Sequence, residues 1–104
     1  MHSRVAIYRS SGDVHSLARR AESGLLPIFK AQPGFKAYSV LEADGMIISF
    51  STWESAANAD AASSTAADWV AENMSDELDL ERSYIGEVLF STVLGVSSLE
   101  GVKA

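Results

Sequence analysis

The chain has 104 residues, no cysteine, and fourteen acidic against eight basic side chains, giving a formal charge of −6. Hydrophobic residues make up 47% and charged residues 21%, the profile of one packed domain spanning 1–104 and not of a disordered chain. Without cysteine there is no disulfide, no thiolate metal site and no thiol nucleophile. The Lys and Arg residues are scattered from Arg4 to Lys103, so no basic patch exists to hold nucleic acid. No run of 18 apolar residues marks a membrane span. The first strand begins within a few residues of Met1, leaving no room for a signal peptide, and a cytoplasmic location is expected.

Residues Arg4 to Ser10 are rich in strand formers and stop at Ser11-Gly12-Asp13, a turn and helix-start signal in which Asp13 is the N-cap. Val14, Leu17, Ala18, Ala21, Leu25, Ile28 and Phe29 then fall on one face of a helix. Gly24 and Pro27 interrupt that pattern, so a kink or break is expected near Gly24 to Leu26. Gln32-Pro33-Gly34 turns the chain into a strand from Phe35 to about Glu42. Asp44-Gly45 reads as a tight hairpin, because both central residues tolerate positive φ. The return strand is Met46 to Trp53.

A long helix follows from Ala56 to about Met74, with seven alanines between Ala56 and Ala67. Alanine is the best helix former, and its short side chain lets the helix lie close to what it covers. Trp69, three residues beyond Ala66, shares the alanine face as one large ring. The acidic stretch Asp76, Glu77, Asp79 and Glu81 reads as a solvated loop. A last strand is expected from Ser83 to about Leu94, closing a core of about 4–94, and then a polar tail over 95–104. The order β-α-β-β-α-β predicts an α+β, ferredoxin-like fold with a four-stranded antiparallel sheet.

Two helices cover only one face of such a sheet. A solvated second face calls for clean alternation of apolar and polar residues. Here Met46, Ile48 and Phe50 share one side, while the other carries Ile47 and Trp53 with two serines. Both faces therefore read as buried, and a homodimer pairing sheet to sheet is expected.

His2 and His15 lie far apart and make no metal set, and each reads as a surface histidine. No Gly-rich phosphate cradle or nucleophile elbow occurs. Tyr8, Tyr38, Phe50, Trp53, Trp69, Tyr84 and Phe90 can converge only between sheet and helices or at the dimer seam. They are read either as packing or as the walls of a small cavity for an aromatic ligand.

Pro33-Gly34-Phe35, the run Ile48-Ser49-Phe50-Ser51-Thr52-Trp53-Glu54-Ser55, Trp69 and Gly86-Glu87-Val88 together resemble the antibiotic biosynthesis monooxygenase-like family of dimeric α+β barrels. The likeness covers roughly residues 4 to 94. It implies a cofactor-independent monooxygenase on a small aromatic or polyketide-like substrate, or else a non-catalytic small-molecule-binding or stress-associated dimer of the same build. By that likeness Tyr8, Asn58 and Trp69 are the candidate catalytic residues, and Tyr38, Phe50, Trp53, Arg82 and Tyr84 the candidate substrate contacts. Neither a metal nor a cofactor is expected. Haem is not expected to bind, because the haem-degrading branch uses an Asn in the first strand and a His on the second helix. This chain offers Tyr8 and Arg9 in the strand and no histidine on the helix.

Overall fold

The structure, a computed structural model, describes residues 1–97. Its elements in chain order are β1 (His2–Ser10), α1 (Val14–Ala31), β2 (Phe35–Ala43), β3 (Met46–Trp53), α2 (Ala56–Asn73), β4 (Leu78–Glu87), β5 (Phe90–Ser91) and β6 (Val96–Ser97). Four strands form one antiparallel sheet in the order β2-β3-β1-β4, and β5 pairs with β6 as a separate two-stranded piece. This is the ferredoxin-like α+β arrangement expected from the sequence. Of the expected tail over 95–104, Val96–Ser97 make β6, and the rest lies outside the described residues.

Local signals explain most boundaries. The Asp13 carboxylate accepts from the His15 amide and caps α1. Asp44 and Gly45 both have positive φ, 53° and 75°, which matches the twist a two-residue hairpin requires. At the start of α2 the Ser55 hydroxyl accepts from the Asn58 amide and donates to Asn58 Oδ1.

Four sequence expectations are corrected. Helix α1 runs without a break from Val14 to Ala31, with Pro27 inside it. Pro27 and Ser23 both lie on the exposed side, so the carbonyl that proline leaves unpaired faces water, while Leu25 and Phe29 keep the buried side packed. The last strand begins at Leu78 and ends at Glu87, not at Ser83 and Leu94. Of the acidic stretch, Asp79 and Glu81 lie in this strand and Asp76 and Glu77 in the turn before it, and two of its charges are paired: Arg9 with Glu81, and Arg20 with both oxygens of Glu77 at 2.8 and 2.9 Å. His2 lies in β1, opposite Trp53 and Glu87, and is half-buried there instead of being the surface histidine expected.

The register makes the sheet unusual. On β1, Arg4, Ala6 and Tyr8 point under the helices and are buried, while Val5 and Ile7 point away. On β3, Ile47, Ser49, Ser51 and Trp53 point under the helices, leaving Ile48 and the exposed Phe50 on the far side. The covered face thus carries Arg4, Ser49 and Ser51 among its core residues, while the uncovered face presents Val5, Ile7, Ile48 and Phe50 beside Ser3, Ser39 and Thr52. Neither face shows the clean division expected of a sheet with one solvated side.

Candidate functional site

Side chains alternate across a strand, so the paired residues of neighbouring strands stand in rows on one face. One row on the helix-covered face runs Tyr38, Ser51, Arg4, Ile85, and the next runs Val40, Ser49, Ala6, Ser83. A third carries Glu42, Ile47, Tyr8 and Leu80, after a bulge that places Glu81 as the extra residue of β4. Two phenols, the buried hydroxyls of Ser49 and Ser51 and a guanidinium are thereby gathered beneath the helices.

Arg4 is the unusual member. It is only 3% exposed, and among the described residues it has no ion-pair partner. Its Nη2 donates to Tyr8 Oη at 3.4 Å, and its Nε is buried with no acceptor. The Ser51 hydroxyl, directly across on β3, is also buried and unpartnered. Buried polar groups are nearly always satisfied, and a buried charge without a counter-charge is costly, so such a set needs an explanation. Tyr38 stands beside it, its ring edge-on to Phe29 at 4.9 Å. Burial pushes its phenol up to about 12; nearby Tyr8 adds to the rise and Arg4 opposes it. Tyr38 is therefore a proton donor through the neutral pH range.

Three spaces adjoin these groups. Between sheet, α1 and α2 lies an enclosed cavity of about 30 Å³, lined by Arg4, Tyr8, Tyr38 and Trp69 among apolar side chains. That is room for one or two waters, not for an aromatic ring. The larger space is an open groove of about 510 Å³ between α2 and the edge strand β4. Arg4 and Tyr8 form its floor, Ser63, Ala67 and Ala71 one wall, and Leu80 and Ser83 the other. Its volume falls in the usual range for small-molecule sites. The groove exists because α2 presents only small side chains there and β4 is almost wholly exposed. No carboxylate lines it, in a chain of net charge −6. A third space, about 320 Å³ along α1 and β2, is edged by Arg19 and Glu22 and contains no buried unpaired charge.

The structure brings together only part of the expected site. Tyr8, Tyr38 and Trp69 line the same small cavity. Asn58 does not join them: it caps the start of α2 and packs on Gly34, where an added Cβ would come within 2.4 Å of its Oδ1. Trp53 is fully buried, edge-on to Phe29 at 5.2 Å and to Phe35 at 5.5 Å. Phe50, Arg82 and Tyr84 stand on the uncovered face, where Arg82 donates to the Tyr84 hydroxyl at 3.2 Å. Arg4 was not singled out by the sequence, although its two-residue spacing from Ala6 and Tyr8 was available to place it on their face.

No family model and no curated protein matches the chain. Solved structures do. SnoaB, a cofactor-independent oxygenase from Streptomyces nogalater, is similar over 88% of this chain and 95% of its own, with a TM-score of 0.69 at 14% identity. HapK from Hahella chejuensis covers the same shares with a TM-score of 0.67 at 17% identity. A candidate antibiotic biosynthesis monooxygenase from Chloroflexus aurantiacus covers 90% of this chain and 98% of its own, with a TM-score of 0.62 at 17% identity. At such identities the likeness establishes the shared fold.

Proposed function

We propose that the protein is a cofactor-independent monooxygenase acting on a small electron-rich aromatic held in the groove between α2 and β4. The observation that carries this reading is the buried, unpaired Arg4 beside Tyr8 on the groove floor. Support comes also from the fold, which is shared with a cofactor-independent oxygenase.

For a 1-naphthol substrate the chemistry runs as follows. The ring gives up its hydroxyl proton to solvent, and the naphtholate passes one electron to oxygen. The resulting radical pair joins in a C–O bond at the carbon para to the oxygen. The peroxide anion then takes up a proton, the hydroperoxide loses the ring C–H proton, and its O–O bond breaks to release hydroxide, which a proton from solvent turns into water. One oxygen atom is left in the quinone and the other in water, so naphthol and O₂ become naphthoquinone and H₂O. Arg4 stabilises the anion that reduces oxygen, Tyr8 donates to its oxygen, and α2 excludes water from one side.

Two copies are proposed to pair through the uncovered face, where Leu41 is 43% and Phe50 38% exposed beside Val5, Ile7 and Ile48. The two faces of the sheet then serve different purposes, association on one and chemistry on the other.

Oxygen uptake with 1-naphthol and a panel of phenols tests the activity. Consumption of one O₂ per quinone formed is expected, and it should fall at least about tenfold in Tyr8→Phe, the loss of one donor to a developing anion. Binding of the same compounds with no oxygen uptake overturns the oxygenase and leaves a small-molecule-binding dimer.

A further inference from the structure

We propose that Arg4 makes the groove a site for organic monoanions, so that its ligand carries a carboxylate or an ionised enol or phenol on an aromatic body. This rests on the reading of the groove as the working site, and goes beyond it by assigning the charge of what enters. An arginine buried to 97% normally has a carboxylate against it. Here the neighbours across the sheet are Ser51 and Ile85, the hydrogen-bond partner is a tyrosine, and the Nε hydrogen has no acceptor.

Every polar group facing the space is neutral or positive. Ser63, Ser64, Ser75 and Ser83 supply hydroxyls, Tyr8 a phenol and Arg4 the charge. Glu77 and Glu81 are paired elsewhere, with Arg20 and Arg9. A carboxylate offers what the floor lacks, two oxygens able to accept from a guanidinium edge, and an ionised enol or phenol offers one. The apolar share of the lining, Leu78, Leu80, Val70, Ala67 and Ala71, suits a ring and not an inorganic ion. The acidic exterior adds discrimination, since an anion gains nothing from the surface and binds only where Arg4 is reached.

The test uses 2-naphthoate and its neutral relative 2-naphthamide, titrated calorimetrically into the full chain. Wild type is expected to bind 2-naphthoate at least about thirtyfold more tightly, the lower end of what a buried charge pair contributes. Arg4→Met keeps the apolar stem and is expected to abolish that preference without lowering the melting temperature, since the charge it removes has no partner in the free protein. Equal affinity of wild type for the two probes overturns the proposal with no variant needed. A preference that survives in folded Arg4→Met or Arg4→Lys, unchanged in size, overturns it as well. The oxygenase reading fails separately. An anion preference without oxygen uptake leaves the Arg4 site standing, whereas oxygen uptake that is indifferent to Arg4→Met removes Arg4 and leaves the oxygenase.

Discussion

Arg4 and Tyr38 show how one strand position decides chemistry. Both reach the covered face because their strands put every second side chain there, and both are polar groups where a monomeric core would hold aliphatic ones. Arg4 escaped notice in the sequence for a physical reason. Beside Val5 and Ile7, the alternate set Arg4, Ala6 and Tyr8 reads as the wetter face of β1, and only the helices' position reverses that. Tyr8 and Trp69 were legible, one as a polar ring in mid-strand and the other as the single large side chain on an alanine face. Asn58 was not placeable, because whether a residue near a helix start caps or catalyses depends on what lies across the turn, here Gly34. Burial gives Tyr38 a titration of its own. Its phenol is raised to about 12 from the ordinary 10, so between those values the folded protein holds a proton that the unfolded chain has lost. Stability therefore falls as pH rises from about 10 to 12 and is independent of this group below that window. Tyrosinate absorbance followed to high pH should show a step near pH 12 that Tyr38→Phe removes. A wild-type curve lacking that step would contradict the burial.

At the scale of elements, strand and helix order was readable throughout, and the misses came where tertiary contacts overrode local cues. Pro27 was given too much weight, since on an exposed helix side it removes only one bond that water replaces. The acidic stretch was given too little order, because its partners Arg9 and Arg20 come from β1 and α1, distant in sequence. Gly24 has a reason that no local pattern reveals. A Cβ there would lie 2.6 Å from Cζ2 of Trp69, so the glycine lets α1 and α2 approach over the indole ring. Trp69 also packs against both buried clusters of the core, which favours its reading as core over that of a ligand wall. Gly24→Ala should thus lower stability by about 1–2 kcal/mol, overpacking outweighing the roughly 1 kcal/mol gain in helix propensity. A urea melt measures it, and Trp69→Leu in the same chain should recover most of the loss. A raised midpoint in Gly24→Ala alone would show that the helices do not meet there.

For the whole molecule, the proposal is that the sheet's two faces serve different ends, association on one and ligand binding on the other. The uncovered face carries apolar residues across three strands, with Leu41, Ile48, Phe50, Val5 and Ile7 in register, and Phe90 and Val93 beyond it are also exposed. The groove opens on the opposite side, between α2 and β4. Pairing of two sheets therefore leaves both grooves outward and independent, one for each chain. The mixed strands already suggested two buried faces in the sequence. Which of the two faces the helices cover could not be read from the strands alone. Sedimentation equilibrium in the presence of 2-naphthoate, recorded at the ligand's own absorbance, tests both halves of this arrangement together. The account expects a single species of twice the chain mass carrying one ligand per chain. A monomer, or a dimer with one ligand shared at its seam, would contradict it.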